Sequence, residues 1–255
     1  MSMKSPALSH FERVSAAKSS ATAGPGETLA GASRYELMLA KLATDRRRLK
    51  SIQSVKQKIT VKAELLPEYA EYVAGALQGG RGAQDDVLVT IMVWRIDAGD
   101  YAGALAIADY ALSHRLTLPD QYERSMATVI AEEFAEAALA ACAAGNAFPA
   151  EQLERVAELT STADMHDQVR AKLHKALAYA AQETRPADAL AHLRSALALN
   201  ERVGVKKDID RLEKLLARNE QSDEAPGLRV DLERSPKTDA PSALDTADSQ
   251  DAAGQ

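Results

Sequence analysis

Two kinds of charged side chain in this sequence are grouped so that they could do chemistry, namely clustered carboxylates and a run of cations. The carboxylates are Asp85, Asp86, Asp97, Asp100, Glu132, Glu133 and Glu136. Convergent carboxylates can hold one or two divalent ions, such as Mg²⁺, and generate the nucleophilic water that cleaves a phosphodiester. Each also has a structural interpretation, because acids are typical of helix starts, of turns and of solvated helix faces. The spacing therefore assigns no catalytic residue and no metal ligand.

The cations are concentrated between Tyr35 and Lys62, where eight lysines and arginines stand against two acids, although the whole chain has a net charge of −6. A single helix over residues 35–62, at about 100° per residue, gathers an apolar side within roughly 140°. That side is Met38, Leu42, Leu49, Ile52, Val55 and Ile59, and the opposite side is Arg46, Arg47, Lys50, Lys58 and Lys62. Lysine and arginine neutralise phosphates, so these five cations are candidate nucleic-acid contacts, although a solvated face of an oligomerising helix is the alternative.

Asp45 interrupts the apolar side of this predicted helix between Leu42 and Leu49. A lone carboxylate in apolar surroundings is costly. Pairing with Arg48, three residues further on, would relieve that cost. The alternative is that Asp45 sets the register against a neighbouring subunit.

Two weaker groups have structural interpretations. His166 and His174 could share a helix face, but no third metal ligand stands near them. Lys206, Lys207 and Arg211 form a second basic patch, which we interpret as ordinary surface.

The elements that position these residues are predicted to be helices throughout. The chain of 255 residues is 46% hydrophobic, largely through alanine, and only 4% aromatic, and no segment alternates as a strand would. Its single cysteine, Cys142, excludes an internal disulfide framework and fits a reducing cytoplasm. No apolar run approaches the ~18 residues of a membrane span, and the phosphate-binding pattern GxxxxGK[ST] is absent. We therefore expect a soluble intracellular protein that hydrolyses no ATP through a P-loop.

Composition divides the chain into four parts. They are an N-terminal segment with a flexible linker (1–33, the linker from 15), a basic helical region (34–80), a helical-hairpin domain (81–219) and a disordered acidic tail (220–255). Helices are predicted at about 35–62, 67–77, 83–98, 102–115, 120–143, 150–160, 164–183, 187–201 and 204–218. The segments ALAIADYAL (104–112) and ALAHLRSAL (189–197) are similar, and their alternation of large and small residues is typical of tetratricopeptide-like antiparallel hairpins.

Six sequence blocks together resemble those of one protein family. They are SPALSHFERV (5–14), YELMLAKLATDRRRLKSIQSVKQK (35–58), LLPEY (65–69), GRGAQDDVLVTIMVWRIDAGDYAGALAIADYAL (80–112), LTSTADMHDQVRAKLHKAL (159–177) and AHLRSALALNERVGVKKDIDRLEKL (191–215). The blocks are long and ordered, and they are similar to the terminase small subunit of cohesive-end, P2-like tailed phages, which is also labelled the endonuclease subunit. The resemblance covers the first residues and nearly all of the predicted folded body, but neither the linker nor the acidic tail.

The resemblance implies a subunit that binds the cohesive-end region of concatemeric phage double-stranded DNA, usually as a homo-oligomer, in the cytoplasm of the bacterial host. It also implies a large subunit that carries the packaging ATPase and uses ATP, with which the DNA is cut and delivered towards the procapsid portal. The five cations above then become predicted DNA contacts.

The resemblance carries over no catalytic residue, so two alternatives stay open. The chain itself could cut DNA, in which case Mg²⁺ would be its expected cofactor; otherwise we expect none in this chain. It could also be a non-catalytic helical-repeat adaptor that binds only protein partners.

Overall fold

Helix-forming residues organise almost all of the described chain. The computed structural model describes residues 5–118 and 124–223, with side chains as far as residue 219. Within those residues the helices are α1 (Pro6–Ser20), α2 (Ser33–Lys50), α3 (Val55–Gly79), α4 (Asp86–Asp97), α5 (Tyr101–Ser113), α6 (Met126–Ala143), α7 (Ala150–Leu159), α8 (Asp167–Ala181), α9 (Pro186–Leu199) and α10 (Lys206–Asp223). The same residues contain no strand, only an isolated bridge between Thr28 and Gln84. The predicted all-α class is confirmed.

The predicted acidic tail falls mostly outside the described residues. It was expected to start at residue 220, but α10 continues past that point and ends at Asp223. The prediction for residues 224–255 lies outside the part of the chain that the structure describes.

The N-terminal helix α1 corrects the prediction that a flexible linker starts at residue 15. Ser5 caps the helix by accepting a hydrogen bond from a first-turn amide at 3.2 Å, and Pro6 occupies the first turn. The residues buried near its end are Ala16, Ser19 and Ser20. Ala16 lies against α3, where a Cβ placed on Gly75 would come within 2.3 Å of the Arg13 carbonyl oxygen. The small residues that suggested a linker therefore serve close packing between two helices.

The predicted basic helix over 35–62 is wrong as a single element, because the structure divides it into α2 and α3. The first helix ends at Lys50, and residues 51–54 form the turn before the second. This break has a local cause, since the Ser54 hydroxyl accepts a hydrogen bond from the backbone amide of Gln57 at 3.3 Å. Such a cap satisfies one of the amides that a helix start leaves without a partner. The basic segment is therefore a helical hairpin.

Pro67 does not start a helix, in contrast to the prediction of a helix over 67–77. It lies inside α3, which continues from Val55 to Gly79. Proline lacks the amide hydrogen that would bond to the carbonyl four residues earlier. Because Pro67 is on the exposed side of α3, water can replace that bond.

A continuous hydrophobic core runs from α1 to α8. Tyr69 and Tyr72 of α3 are among its largest fully buried side chains, together with Met92 of α4. Trp94 is 5% exposed and meets Tyr69 edge-on, with ring centroids 6.1 Å apart. This confirms the interpretation of Trp94 as a core residue. The division into regions 34–80 and 81–219 stays a prediction.

A second apolar cluster holds the last helices together. It is formed by Ala178, Ala181, Ala189, Leu190, Leu193, Val205, Ile209 and Leu212. The helix α8 belongs to both clusters, and so it joins α9 and α10 to the main core. Neighbouring helices pack in pairs here, while the tetratricopeptide-like detail stays a prediction. Among the described helices, none combines the length and the apolar character needed to cross a membrane.

Candidate nucleic-acid interface

The turn between α2 and α3 brings together cations with no acid between them in the sequence. Residues 46–63 hold seven lysines and arginines and no aspartate or glutamate; we call this segment the basic turn. Because α2 ends at Lys50 and α3 begins at Val55, cations from two helices meet at one end of a hairpin. Clustered charge of one sign raises the local potential and attracts a polyanion such as a nucleic acid.

Three of the five predicted contact residues present their charge freely on the basic turn. Arg47 is exposed and donates a hydrogen bond to the Thr44 hydroxyl at 3.1 Å. Lys50 is exposed and Lys58 is half-buried. None of the three forms an ion pair with a described residue. Their charges are therefore available to phosphates.

The other two predicted contacts are used inside the molecule. The Arg46 guanidinium donates to the Thr90 hydroxyl of α4 at 2.7 Å. The Lys62 ammonium forms an ion pair with Asp97 at the end of α4. Each side chain joins the α2–α3 hairpin to α4, so a phosphate would have to compete with these contacts.

The basic turn also includes two cations that the helix-face argument left out. Lys56 is exposed in the first turn of α3. Arg48 lies 3.5 Å from Glu64, and both side chains are more than half exposed, so water weakens this ion pair. The pattern Ser54-x-x-Gln57, which is typical of a helix start, could have located the turn and with it these residues.

The predicted apolar side of the segment is split between the core and the surface. Met38, Leu42 and Leu49 of α2 are buried. Val55 is 71% exposed and Ile59 is 37% exposed. The apolar residues of α3 nearest the turn therefore lie at the surface among the cations, where they are free to contact a partner.

Asp45 finds its partners within this chain, although Arg48 is not one of them. Its carboxylate accepts hydrogen bonds from the Lys41 ammonium at 2.8 Å and from the buried Tyr69 hydroxyl at 2.6 Å. The predicted pairing with Arg48 is wrong, because that guanidinium is directed towards Glu64. The cost of burying Asp45 is offset by a cation and a hydroxyl from the same hairpin.

Asp85 and Asp86 confirm the structural interpretation of that pair. Asp85 caps α4 by accepting from the Leu88 amide at 2.8 Å, and it also accepts from the Tyr72 hydroxyl at 2.7 Å. Burial raises the pKa of Asp85 to about 6. Asp86 accepts a hydrogen bond from the side-chain amide of Gln84 at 2.9 Å.

Of the remaining carboxylates, Glu133 of α6 is affected by the charge of Asp97 at the end of α4. Burial, and after it the Asp97 carboxylate, raises the pKa of Glu133, while Lys62 opposes this shift. Asp100 caps α5, and Lys172 pairs with both Glu132 and Glu136. In the described part of the chain, no group of three or more histidine, cysteine, aspartate or glutamate side chains is placed to hold a metal ion.

The histidines form a pair that sequence spacing did not suggest. His174 of α8 lies with its Nδ1 atom 3.0 Å from Nδ1 of His192 on α9. Burial lowers the pKa of both imidazoles. His166 precedes the first turn of α8 and is exposed.

Comparison with known proteins bears directly on the predicted family. The family model described as phage small terminase subunit matches residues 39–168, from within α2 to the start of α8. The chain is 49% identical over 216 residues to the "Terminase, endonuclease subunit" of Escherichia phage P2, which covers 84% of this chain and 86% of that protein. No solved structure matches the chain. The resemblance is confirmed, and the chain belongs to the phage small terminase subunit family.

Proposed function

We propose that this chain binds the cohesive-end region of concatemeric phage DNA through the basic turn, as the small subunit of a packaging terminase. The observation that carries the proposal is the run of seven cations without an acid over residues 46–63. Arg47, Lys50 and Lys58 have no acidic partner in the described chain and can neutralise phosphates. Phosphate contacts give affinity and orientation but little sequence information.

A charge-reversal experiment tests this assignment. The triple variant Arg47→Glu, Lys50→Glu, Lys58→Glu should bind a cohesive-end duplex at least ~100-fold more weakly than the parent chain. Its slope of log affinity against log salt should be smaller by roughly 3, at about 0.9 per lost phosphate contact. Fluorescence anisotropy over a salt series measures both quantities.

The matched control reverses three exposed cations elsewhere, as Lys18→Glu, Arg81→Glu, Arg202→Glu. It changes the net charge by the same amount. A larger loss of DNA affinity in the first triple variant would therefore reflect a specific role of the basic turn. Equal losses in both would refute the site. A parent chain with no DNA affinity would instead favour the adaptor that binds only protein.

We propose further that the chain acts as a homo-oligomer with a large subunit that supplies the ATPase. Support for a protein interface comes from large apolar side chains left at the surface, since Phe11 is 65% exposed, Leu37 62% and Val55 71%. The DNA would then pass from this chain to the large subunit and to the procapsid portal, in the cytoplasm of the host. Measuring the mass in solution, with and without a cohesive-end duplex, gives the number of subunits.

Cleavage of DNA is the second candidate activity, because the phage P2 relative is named an endonuclease subunit. We propose that cleavage takes place together with the large subunit. If this chain cuts alone, with Mg²⁺ as cofactor, Asp97 and Glu133 are the pair to test, since the charge of Asp97 raises the pKa of Glu133 and Lys62 pairs with Asp97. Purified chain, Mg²⁺ and a cohesive-end plasmid decide between the two. Cleavage without the large subunit that Glu133→Gln abolishes would identify this chain as the nuclease.

A further inference from the structure

We propose that α10 carries a second face for the phosphodiester backbone of DNA, separate from the basic turn. This inference rests on the proposed DNA binding and extends it to the other end of the chain. The face consists of Lys207, Arg211, Lys214 and Arg218, so it replaces the interpretation of Lys207 and Arg211 as ordinary surface. We call these four residues the α10 stripe.

Helix geometry places these four cations in one line. At about 100° per residue, spacings of four, three and four residues keep them within about 60° around the helix. At about 1.5 Å per residue, the line extends over about 16 Å. Phosphates on one DNA strand follow each other about every 3.4 Å along the axis, so the stripe can face several of them.

The remaining faces of α10 have other uses. Ile209 and Leu212 are buried in the second apolar cluster. Glu213 pairs with Arg194 of α9 at 2.8 Å. The stripe is thus on a different side of α10 from these contacts. It lies towards the end of α8 and the start of α9, and Asp210 lines the same groove.

Two members of the stripe have no ion-pair partner in the described chain. Lys207 and Lys214 are exposed, and Lys214 stays unpaired even though Asp210 stands four residues before it. Arg211 is 3.2 Å from Asp208 and donates to the Gln182 amide oxygen at 2.9 Å. Arg211 is itself exposed, whereas Asp208 is half-buried and also accepts a hydrogen bond from Tyr179, so the arginine can turn towards a phosphate.

The surroundings of the stripe favour a phosphate backbone over a protein partner. The stripe lines an open groove whose other wall includes Gln182, Glu183 and Pro186. Leu215, at 42%, is the large apolar side chain exposed in this groove. Protein interfaces depend on buried aromatic or apolar anchors, and no aromatic side chain lines this groove. The four cations of the stripe can neutralise phosphates, which is why we favour DNA as the partner.

The test uses the double variant Lys207→Glu, Lys214→Glu in the full chain. We expect its affinity for long cohesive-end duplexes to fall at least ~10-fold, with a salt slope smaller by roughly 2. The shortest duplexes that still bind the parent should lose little, because they occupy the basic turn alone. The control is Arg202→Glu, Lys206→Glu, which makes the same charge change beside the stripe on exposed residues.

Each outcome bears on one proposal. Equal losses of DNA affinity in the double variant and its control, or no loss in either, overturn the α10 face. The basic turn still stands as a DNA site if its own triple variant loses affinity. A gain in DNA affinity also overturns it, because the stripe then holds an acidic protein segment that DNA must displace. If the parent chain binds no DNA, both proposals fail together. Thermal unfolding of both variants should match the parent, since the substituted side chains are exposed.

Discussion

Tyr69 donates its hydroxyl to the buried carboxylate of Asp45 across 2.6 Å, and so joins α3 to α2. Lys41 approaches the same carboxylate and also lies over the Tyr69 ring, 4.8 Å from its centroid. These three side chains therefore contact one another inside the hairpin of α2 and α3. The basic turn is the end of that hairpin where the two helices are joined. We infer that this contact fixes how α2 and α3 cross, and through that the positions of the cations.

Removing the hydroxyl should destabilise the hairpin. For Tyr69→Phe we expect the free energy of unfolding to fall by about 1–3 kcal/mol, because a buried carboxylate loses a hydrogen bond. Urea unfolding measures it. The control is Tyr101→Phe, since the half-buried Tyr101 hydroxyl has no hydrogen-bond partner in the described chain and should lose little. Equal losses would show that Asp45 does not depend on Tyr69.

The start of α1 illustrates what local sequence can predict and what it cannot. Ser5 followed by Pro6 is a helix-start signal that can be recognised from the sequence. The burial of Ala16 cannot be recognised in this way, because it depends on Gly75, which lies far along the chain and accepts the close approach. A segment of small residues therefore resembles a linker until its partner helix is known.

The basic turn shows the same limit at the candidate site. Its cations follow from the sequence, and the capping pattern at Ser54 could have placed the break, but apolar spacing continued to Ile59 and suggested one helix. That Arg46 and Lys62 contact α4 could not be predicted, since their partners Thr90 and Asp97 are distant in the sequence. Local patterns predict the charge, whereas distant contacts decide which charges stay available.

The buried Asp85 should make stability depend on pH in a defined direction. Burial raises its pKa to about 6 in the folded state, against an unfolded value of about 3.9. Between these two pKa values the folded state holds a proton on Asp85 that the unfolded state has released. The stability that this proton contributes is fully present below the unfolded pKa and is lost as the pH rises through the folded pKa. Asparagine cannot ionise and still caps a helix.

We therefore expect Asp85→Asn to gain stability relative to the parent, by on the order of 2–3 kcal/mol, as the pH rises from 4 to 7. Urea unfolding across this range measures the difference. The same substitution at Asp100, an exposed cap on α5, is the control for replacing a capping carboxylate by an amide. A flat difference for Asp85→Asn would contradict the raised pKa.

The His174–His192 pair should act in the opposite direction. Burial lowers the pKa of both imidazoles, and each also faces an arginine, Arg170 or Arg185, while Glu154 and Asp188 partly offset this at His192. Their contribution to stability is full above the unfolded pKa of about 6.5 and is lost as the pH falls below it. Two imidazolium rings whose nitrogens are 3.0 Å apart would repel each other.

His192→Gln should consequently lose less stability than the parent between pH 7.5 and 5. His10→Gln, at an exposed position on α1, is the matched control for the loss of an imidazole. Urea unfolding at each pH gives the comparison. If the free energy of unfolding changed equally with pH in the parent and in His192→Gln, the histidine pair would make no pH-dependent contribution to stability.

Close packing of α1 on α3 predicts a cost for a single methyl group. In Gly75→Ala the new Cβ would meet the Arg13 carbonyl oxygen at 2.3 Å and the Ala16 side chain at 2.7 Å. Alanine favours a helix by about 1 kcal/mol over glycine, but the contact with backbone should outweigh this and destabilise the chain by about 1–3 kcal/mol. The reverse change at exposed Ala74, Ala74→Gly, measures the helix preference alone. A stabilised Gly75→Ala chain would rule out the close contact.

Lys62 and Lys58 stand one turn apart on α3 and should separate stability from DNA binding. Lys62 pairs with Asp97, whereas Lys58 has no ion-pair partner in the described chain. Lys62→Met should lower the free energy of unfolding by about 1–3 kcal/mol and leave DNA affinity within about twofold. Lys58→Met should weaken DNA binding several-fold at low salt, with a stability change within about 0.5 kcal/mol. Urea unfolding and anisotropy on both variants give the comparison. If Lys62→Met lost as much DNA affinity as Lys58→Met, Lys62 would have to leave Asp97 for the DNA, and the contact with α4 would open on binding.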